Sequence, residues 1–186
     1  VPKISADRLF EREVCAFVST VLFRLDGNPR TILDLNPGLQ TIELAKRLPQ
    51  SLILGLTSTC NRANKAGDCR SRLNDESVHN VQYIEGGPKD LPFDDGTFDM
   101  VVLLSKLGAF CLEGRIFEEI YRALSCNGQA FINILVMDSQ AEHVCPDSSE
   151  VDTIVSILRG LPFSTRIGIE KKELNLEIAF KRINWK

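Results

Sequence analysis

Asp34, Asn36, Gly38 and Gln40 occupy alternate positions at the end of a short apolar run, Ile32-Leu33-Asp34-Leu35, where the chain enters a Pro-Gly turn. An aspartate in such a place commonly bonds backbone amides and so caps the turn. Gly38 suits a positive φ or a close approach of backbone to a ligand. Asn36 enters the left-handed conformation more readily than most residues. Gln40 brings a long side chain to the same turn. Thr57 and Ser58 follow a second apolar run and offer hydroxyls. Gly86-Gly87-Pro88 with Asp90, and Ser105-Lys106-Leu107 with Phe110, follow two more. Lys106 could pair with a carboxylate or point into solvent. His79 reads as a surface loop residue. His143-Val144-Cys145 could form one edge of a metal site, but no second cluster of ligands accompanies it, so no metal is expected.

These residues need elements to position them. Phe10, Val14, Phe17, Val18, Val21 and Leu25 fall on one face of a helix over about 5–25, which Gly27 and Pro29 stop. Thr31–Leu35, Leu52–Leu56, Val81–Ile84, Met100–Leu104 and Ala130–Met137 read as strands. Between them lie helices over about 39–48, 58–73 and 116–124, the last ended by Asn127-Gly128. A final helix over about 151–158 precedes two strands, 166–170 and 174–183. Too few residues separate that last pair for a crossover, so they form an antiparallel hairpin. The expected fold is α/β: a Rossmann-like, doubly wound, mostly parallel seven-stranded sheet closed by a C-terminal antiparallel hairpin. A single domain is expected over 1–186, with an N-terminal helix (1–27), a core (31–137) and a last helix and closing hairpin (151–186).

Composition narrows the class. Of 186 residues, 44% are hydrophobic and 25% charged, with a formal net charge of -3. That balance does not point to nucleic acid or an anionic membrane, although Arg62, Lys65, Arg70 and Arg72 could form a local basic face. Six cysteines show no Cys-x-x-Cys pair, which fits a reducing, cytoplasmic setting. Cys15, Cys60 and Cys111 fall in or beside apolar or helical segments, where free cysteine packs as a small hydrophobe. No run reaches the length of a membrane span, and the start shows no signal-peptide pattern.

In an open α/β sheet, ligands bind beyond the carboxyl ends of the strands, where strand order reverses. The segments named first form that rim. There, Ile32-Leu33-Asp34-Leu35-Asn36-Pro37-Gly38 resembles the first motif of the class I S-adenosylmethionine-dependent methyltransferases. Leu91-Pro92-Phe93-Asp94-Asp95-Gly96-Thr97-Phe98-Asp99 is similar to that family's link into the fourth strand. Glu119-Ile120-Tyr121-Arg122-Ala123-Leu124 with Asn127-Gly128 resembles its helix and turn before the fifth. The resemblance covers about 32–137 and is nearest the branch that methylates small molecules such as quinone precursors.

The resemblance implies S-adenosylmethionine as cofactor, with Asp34, Asn36, Gly38, Gln40, Thr57, Ser58, Gly87, Asp90 and Ser105 around it and no catalytic residue named. Asp34 would meet the cofactor's amino group, or only cap the turn. The family's acidic-x-Gly-x-Gly-x-Gly loop is here Asp34-x-Asn36-x-Gly38-x-Gln40. Gln40 therefore stands where the cofactor's methionine portion would pack. Thr57 replaces the acid that holds the ribose, with Glu43 and Ser58 near in sequence, and Gly87 replaces an aspartate near the adenine. Two functions follow from these matches and departures: a methyltransferase acting on a small-molecule acceptor, or a silent methyltransferase-fold domain serving as a scaffold or protein-binding partner. A site for another nucleotide is disfavoured, because the loop lacks the lysine and hydroxyl of a phosphate-binding loop.

Overall fold

The central apolar runs become neighbouring strands of one sheet. A computed structural model describes residues 6–57, 78–106, 114–135, 156, 163–170 and 175–182. The elements are α1 (Ala6–Arg24), β1 (Thr31–Asp34), α2 (Leu39–Arg47), β2 (Leu52–Thr57), β3 (Val81–Glu85), β4 (Phe98–Lys106), α3 (Gly114–Ala123), β5 (Leu124–Leu135), β6 (Phe163–Glu170) and β7 (Asn175–Arg182). The helices expected over 58–73 and 151–158 lie outside the described residues. The strands pair in the order β3-β2-β1-β4-β5-β7-β6. β1 to β5 run parallel, and β7 joins β5 antiparallel and carries β6. Strand order reverses at β1, which pairs with β2 on one side and β4 on the other.

Both faces of the sheet are covered, as continuous apolar strands require. On one face Val14, Phe17, Val18 and Val21 of α1 and Leu44 and Ala45 of α2 pack on Ile32, Ile53, Met100, Val102, Leu104 and Phe131. On the other, Ile116, Phe117, Ile120 and Ala123 of α3 pack on Leu33, Val101, Leu103, Ala130 and Ile132. Residues of β1 and β4 thus alternate between the two layers, so position parity assigns each rim side chain to a face. Cys15 departs from expectation: it lies on the exposed side of α1. Cys60 and Cys111 are outside the described residues.

Two polar networks fix this frame. Glu119 of α3 is buried and accepts the Leu91 amide at 2.9 Å. Arg122 pairs with Glu119 at 2.8 Å and with Asp95 at 2.8 Å, and donates to the carbonyls of Phe93 and Leu91. The link over 91–95 is therefore clamped onto α3. The Arg122 bonds hold the Glu119 carboxyl below its usual value. At the amino ends of the strands, Asp99 accepts the amides of Arg30 and Thr31 and the Ser125 hydroxyl. Asn80 donates to the carbonyls of Ala45, Leu48 and Ser51, and so closes the end of α2.

Asn127-Gly128 does not simply end a helix. α3 stops at Ala123 and β5 starts at Leu124, earlier than the apolar run indicates. Asn127 takes a positive φ of 66° inside that stretch, and the β4–β5 register shifts between Phe98 and Met100. A Cβ on Gly128 would stand 2.9 Å from the Phe98 carbonyl, so the close strand approach there needs glycine.

Candidate functional site

The turn after β1 is closed by its own side chains. Asp34 is fully buried, and its Oδ1 accepts the Asn36 amide at 3.1 Å. Its Oδ2 accepts the Thr41 hydroxyl at 2.7 Å, and the Thr41 oxygen in turn accepts the Gly38 amide at 2.8 Å. Thr41, in the first turn of α2, is thus the hub that joins carboxylate, glycine and helix. The sequence reading missed it, although its place three residues after Gly38 is where a side chain can return to the start of a helix. Asn36 reaches across the reversal point, its Nδ2 donating to the Leu104 carbonyl of β4 at 2.8 Å.

Gln40 is 2% exposed and folds back into the turn, where its Nε2 donates to the Asn36 carbonyl at 2.6 Å. It fills the interior of the loop. The left-handed backbone expected here does not occur: Asn36 has no positive φ, and Gly38 is extended at φ -163°. The demand at Gly38 is for space instead: a Cβ there would lie 2.8 Å from Gln40 Oε1, so the Gln40 carboxamide would have to move. Gly55, opposite Asp34 on β2, has a similar reason. A Cβ would meet the Tyr83 ring at 2.8 Å and Pro37 of the loop at 3.0 Å.

The other expected residues lie along the same rim at increasing distance. Thr57 ends β2, half-buried, and its hydroxyl donates to the Ile84 carbonyl at 3.3 Å, which leaves its oxygen able to accept. Ser105 is buried next to Leu104 and by alternation shares the α3 face with Val101 and Leu103. Gly87 and Asp90 close a separate exposed turn beyond β3, with the Asp90 amide on the Gly87 carbonyl at 3.3 Å. Among the described residues, no hydrogen bond joins that turn to the loop after β1. Glu43 pairs with Lys46 and Arg47 on the outer side of α2 and does not substitute for the missing acid. His79 is exposed, as expected. Ser58, Leu107, Phe110, His143, Cys145 and the side chain of Lys106 lie outside the described residues, and no metal-holding cluster occurs among those described.

Burial pushes the Asp34 carboxyl up from 3.8 to about 6, and the bonds from Thr41 and Asn36 offset only part of that cost. The folded protein therefore takes up this proton more readily than the unfolded chain between these two values. Stability from this group is greatest below about pH 4 and falls as pH rises to 6, by about 3 kcal/mol in all. Urea titrations from pH 4 to 7.5 should show this component in the native sequence and not in Asp34→Asn. A parallel pH dependence in the two proteins would remove Asp34 as its source.

A buried acid and a turn thus lie at the strand-order reversal of an α/β sheet covered on both faces, the place where such sheets take ligands. The chain belongs to the methyltransferase domain family, whose model matches residues 35–132, more than half its length. It is 29% identical over 106 residues to YrhH of Bacillus subtilis (strain 168), a protein named as a methyltransferase. That match takes in 55% of this chain and 56% of the relative, so little more than half of the relative's length is spanned. The fold is shared with an S-adenosylmethionine-dependent methyltransferase of Aquifex aeolicus (TM-score 0.67, 14% identity, 96% of this chain and 99% of that one). It is also shared with geranyl diphosphate methyltransferase, solved with its substrate and sinefungin (TM-score 0.70, 13% identity, 95% and 78%).

Proposed function

We propose that this chain is an S-adenosylmethionine-dependent methyltransferase acting on a small molecule. The observation that carries the reading is the Asp34–Thr41–Gly38 bond chain, which holds the turn after β1 at the point where ligands enter such sheets. The group supplies an electrophilic methyl on a sulfonium. Asp34, buried and ionised above about pH 6, places a negative charge beneath the turn and favours the cofactor's ammonium. Asn36 and Gly38 present backbone at the rim, and Thr57 offers one hydroxyl to the ribose. We assign Gly87, Asp90 and Ser105 outer places, and Ser58 follows Thr57 in sequence. The loop accepts the cofactor when the Gln40 carboxamide, which bonds the Asn36 carbonyl and also supports the Asp34 carboxylate, turns aside.

Two further points belong to this reading. Geranyl diphosphate methyltransferase was solved with a small molecule, geranyl diphosphate, which agrees with a small-molecule acceptor here. No described helix is long and apolar enough to cross a membrane. Among the described residues, Cys15 and Cys126 are free thiols.

Calorimetric titration with S-adenosylmethionine and S-adenosylhomocysteine tests the proposal. Micromolar binding is expected, and no heat with millimolar ligand would overturn it. A sharper form uses Gln40→Gly combined with Thr57→Asp. Freeing the loop and supplying a charged ribose acceptor should tighten binding roughly ten- to a hundredfold. Unchanged affinity in the double variant would mean that these two positions do not face the cofactor.

A further inference from the structure

Asn133 is an anomaly of the core. It lies in β5 between Ile132 and Ile134, where an apolar residue would be cheaper, and it is 5% exposed. Its Oδ1 is buried and, among the described residues, meets no hydrogen-bond donor. Native proteins leave few buried polar atoms in that state, and each calls for a reason. Position supplies one. Asn133 is in register with Leu104 of β4, the residue whose carbonyl accepts the Asn36 side chain. Asn36, Leu104 and Asn133 therefore form one row across the carboxyl-end rim, with β4 between the two amides. Asn133 alternates with Phe131, whose ring packs in the layer beneath α1 together with Leu104. By the same alternation Asp34 shares that face with Ile32.

We infer that Asn133 positions the methyl acceptor, its side-chain carbonyl accepting a hydrogen bond from a neutral hydroxyl or amine on an otherwise apolar small molecule. This rests on the methyltransferase reading above and names the chemistry of its second ligand. Phe131 and Leu104, 4% and 1% exposed, give the neighbourhood its apolar character. A single orphan acceptor set in apolar surroundings selects ligands by the donor they bring, because a ligand without one leaves the group unpaired.

Phenol, aniline and toluene have nearly the same shape and differ in the donor, which makes them the probes. With 15N-labelled protein saturated with S-adenosylhomocysteine, phenol or aniline should shift the Asn133 side-chain amide signals and toluene should not. Whichever of the two shifts it identifies hydroxyl or amine as the donor. Asn133→Leu, of nearly equal volume, should bind that probe about tenfold more weakly, at the level of toluene. It should keep its affinity for S-adenosylhomocysteine and melt no lower than the native protein. A purely structural amide would instead lower the melting temperature without altering the phenol–toluene contrast. Equal responses to all three probes, or none, would overturn the inference and leave an ordered water as the occupant. Failure of S-adenosylhomocysteine to bind would sink the methyltransferase reading and with it the methyl-acceptor role, whereas the contrast between probes would still report separately whether Asn133 selects a hydrogen-bond donor.

Discussion

Gly38→Val should reduce affinity for S-adenosylmethionine at least about a hundredfold while leaving the far-ultraviolet circular dichroism unchanged. The backbone at Gly38 is extended, a conformation any residue adopts, so the fold has no reason to reject valine there. The turn does. The new Cβ would lie 2.8 Å from Gln40 Oε1, forcing the carboxamide off the Asn36 carbonyl. Two more methyl groups would then stand where backbone must approach the ligand. Calorimetry on the variant separates the possibilities. Native-like affinity would show that the loop after β1 is not the cofactor contact, and lost ellipticity would show that Gly38 serves the fold.

The largest loss of stability is expected from Arg122→Ala, about 3–5 kcal/mol. Glu119 is 6% exposed, and its carboxylate would keep only the Leu91 amide once the guanidinium is removed. The same truncation releases the carbonyls of Phe93 and Leu91 and the Asp95 side chain. The link over 91–95 would lose its clamp on α3. Urea unfolding at neutral pH measures the loss. Because Arg122 holds the Glu119 carboxyl below its usual value, the pair's stabilisation in the native protein is present above the ordinary glutamate range and fades as pH falls through it. The gap between variant and native should narrow at low pH. A loss below about 1 kcal/mol would place the pair among ordinary surface ion pairs.

These two networks also show why some features could be read from sequence and others could not. The segments over 91–99 and 119–128 stood out as a matched pair, and the structure gives the cause: Glu119 and Arg122 bind the link directly. Strand positions were visible because burial on both faces demands uninterrupted apolar runs, as in β1 and β4. The start of β5 was not, since Ser125-Cys126-Asn127-Gly128 carries no apolar pattern and owes its strand state to pairing with β4. At the carboxyl-end rim, Asp34 and Gly38 stood out because a carboxylate and a glycine at a turn are distinctive residue types. Thr41 and Asn133 were not, since one hydroxyl or one amide in a helix or strand has no periodicity to betray it. Gln40 was noticed but its direction was not, because side-chain rotamers within a turn depend on contacts that spacing does not encode.

The Asp99 and Asn80 bonds lie at the rim opposite the turn after β1. They join Arg30 and Thr31 to β4, and the end of α2 to the residue before β3, using no atom of residues 36–40. On the methyltransferase reading proposed above, ligand recognition and these frame bonds fall at separate ends of the same strands. Substitutions within residues 36–40 therefore leave these frame bonds untouched. A glutamine where a glycine is expected, or a threonine in place of an acid, is the kind of change that this separation makes survivable.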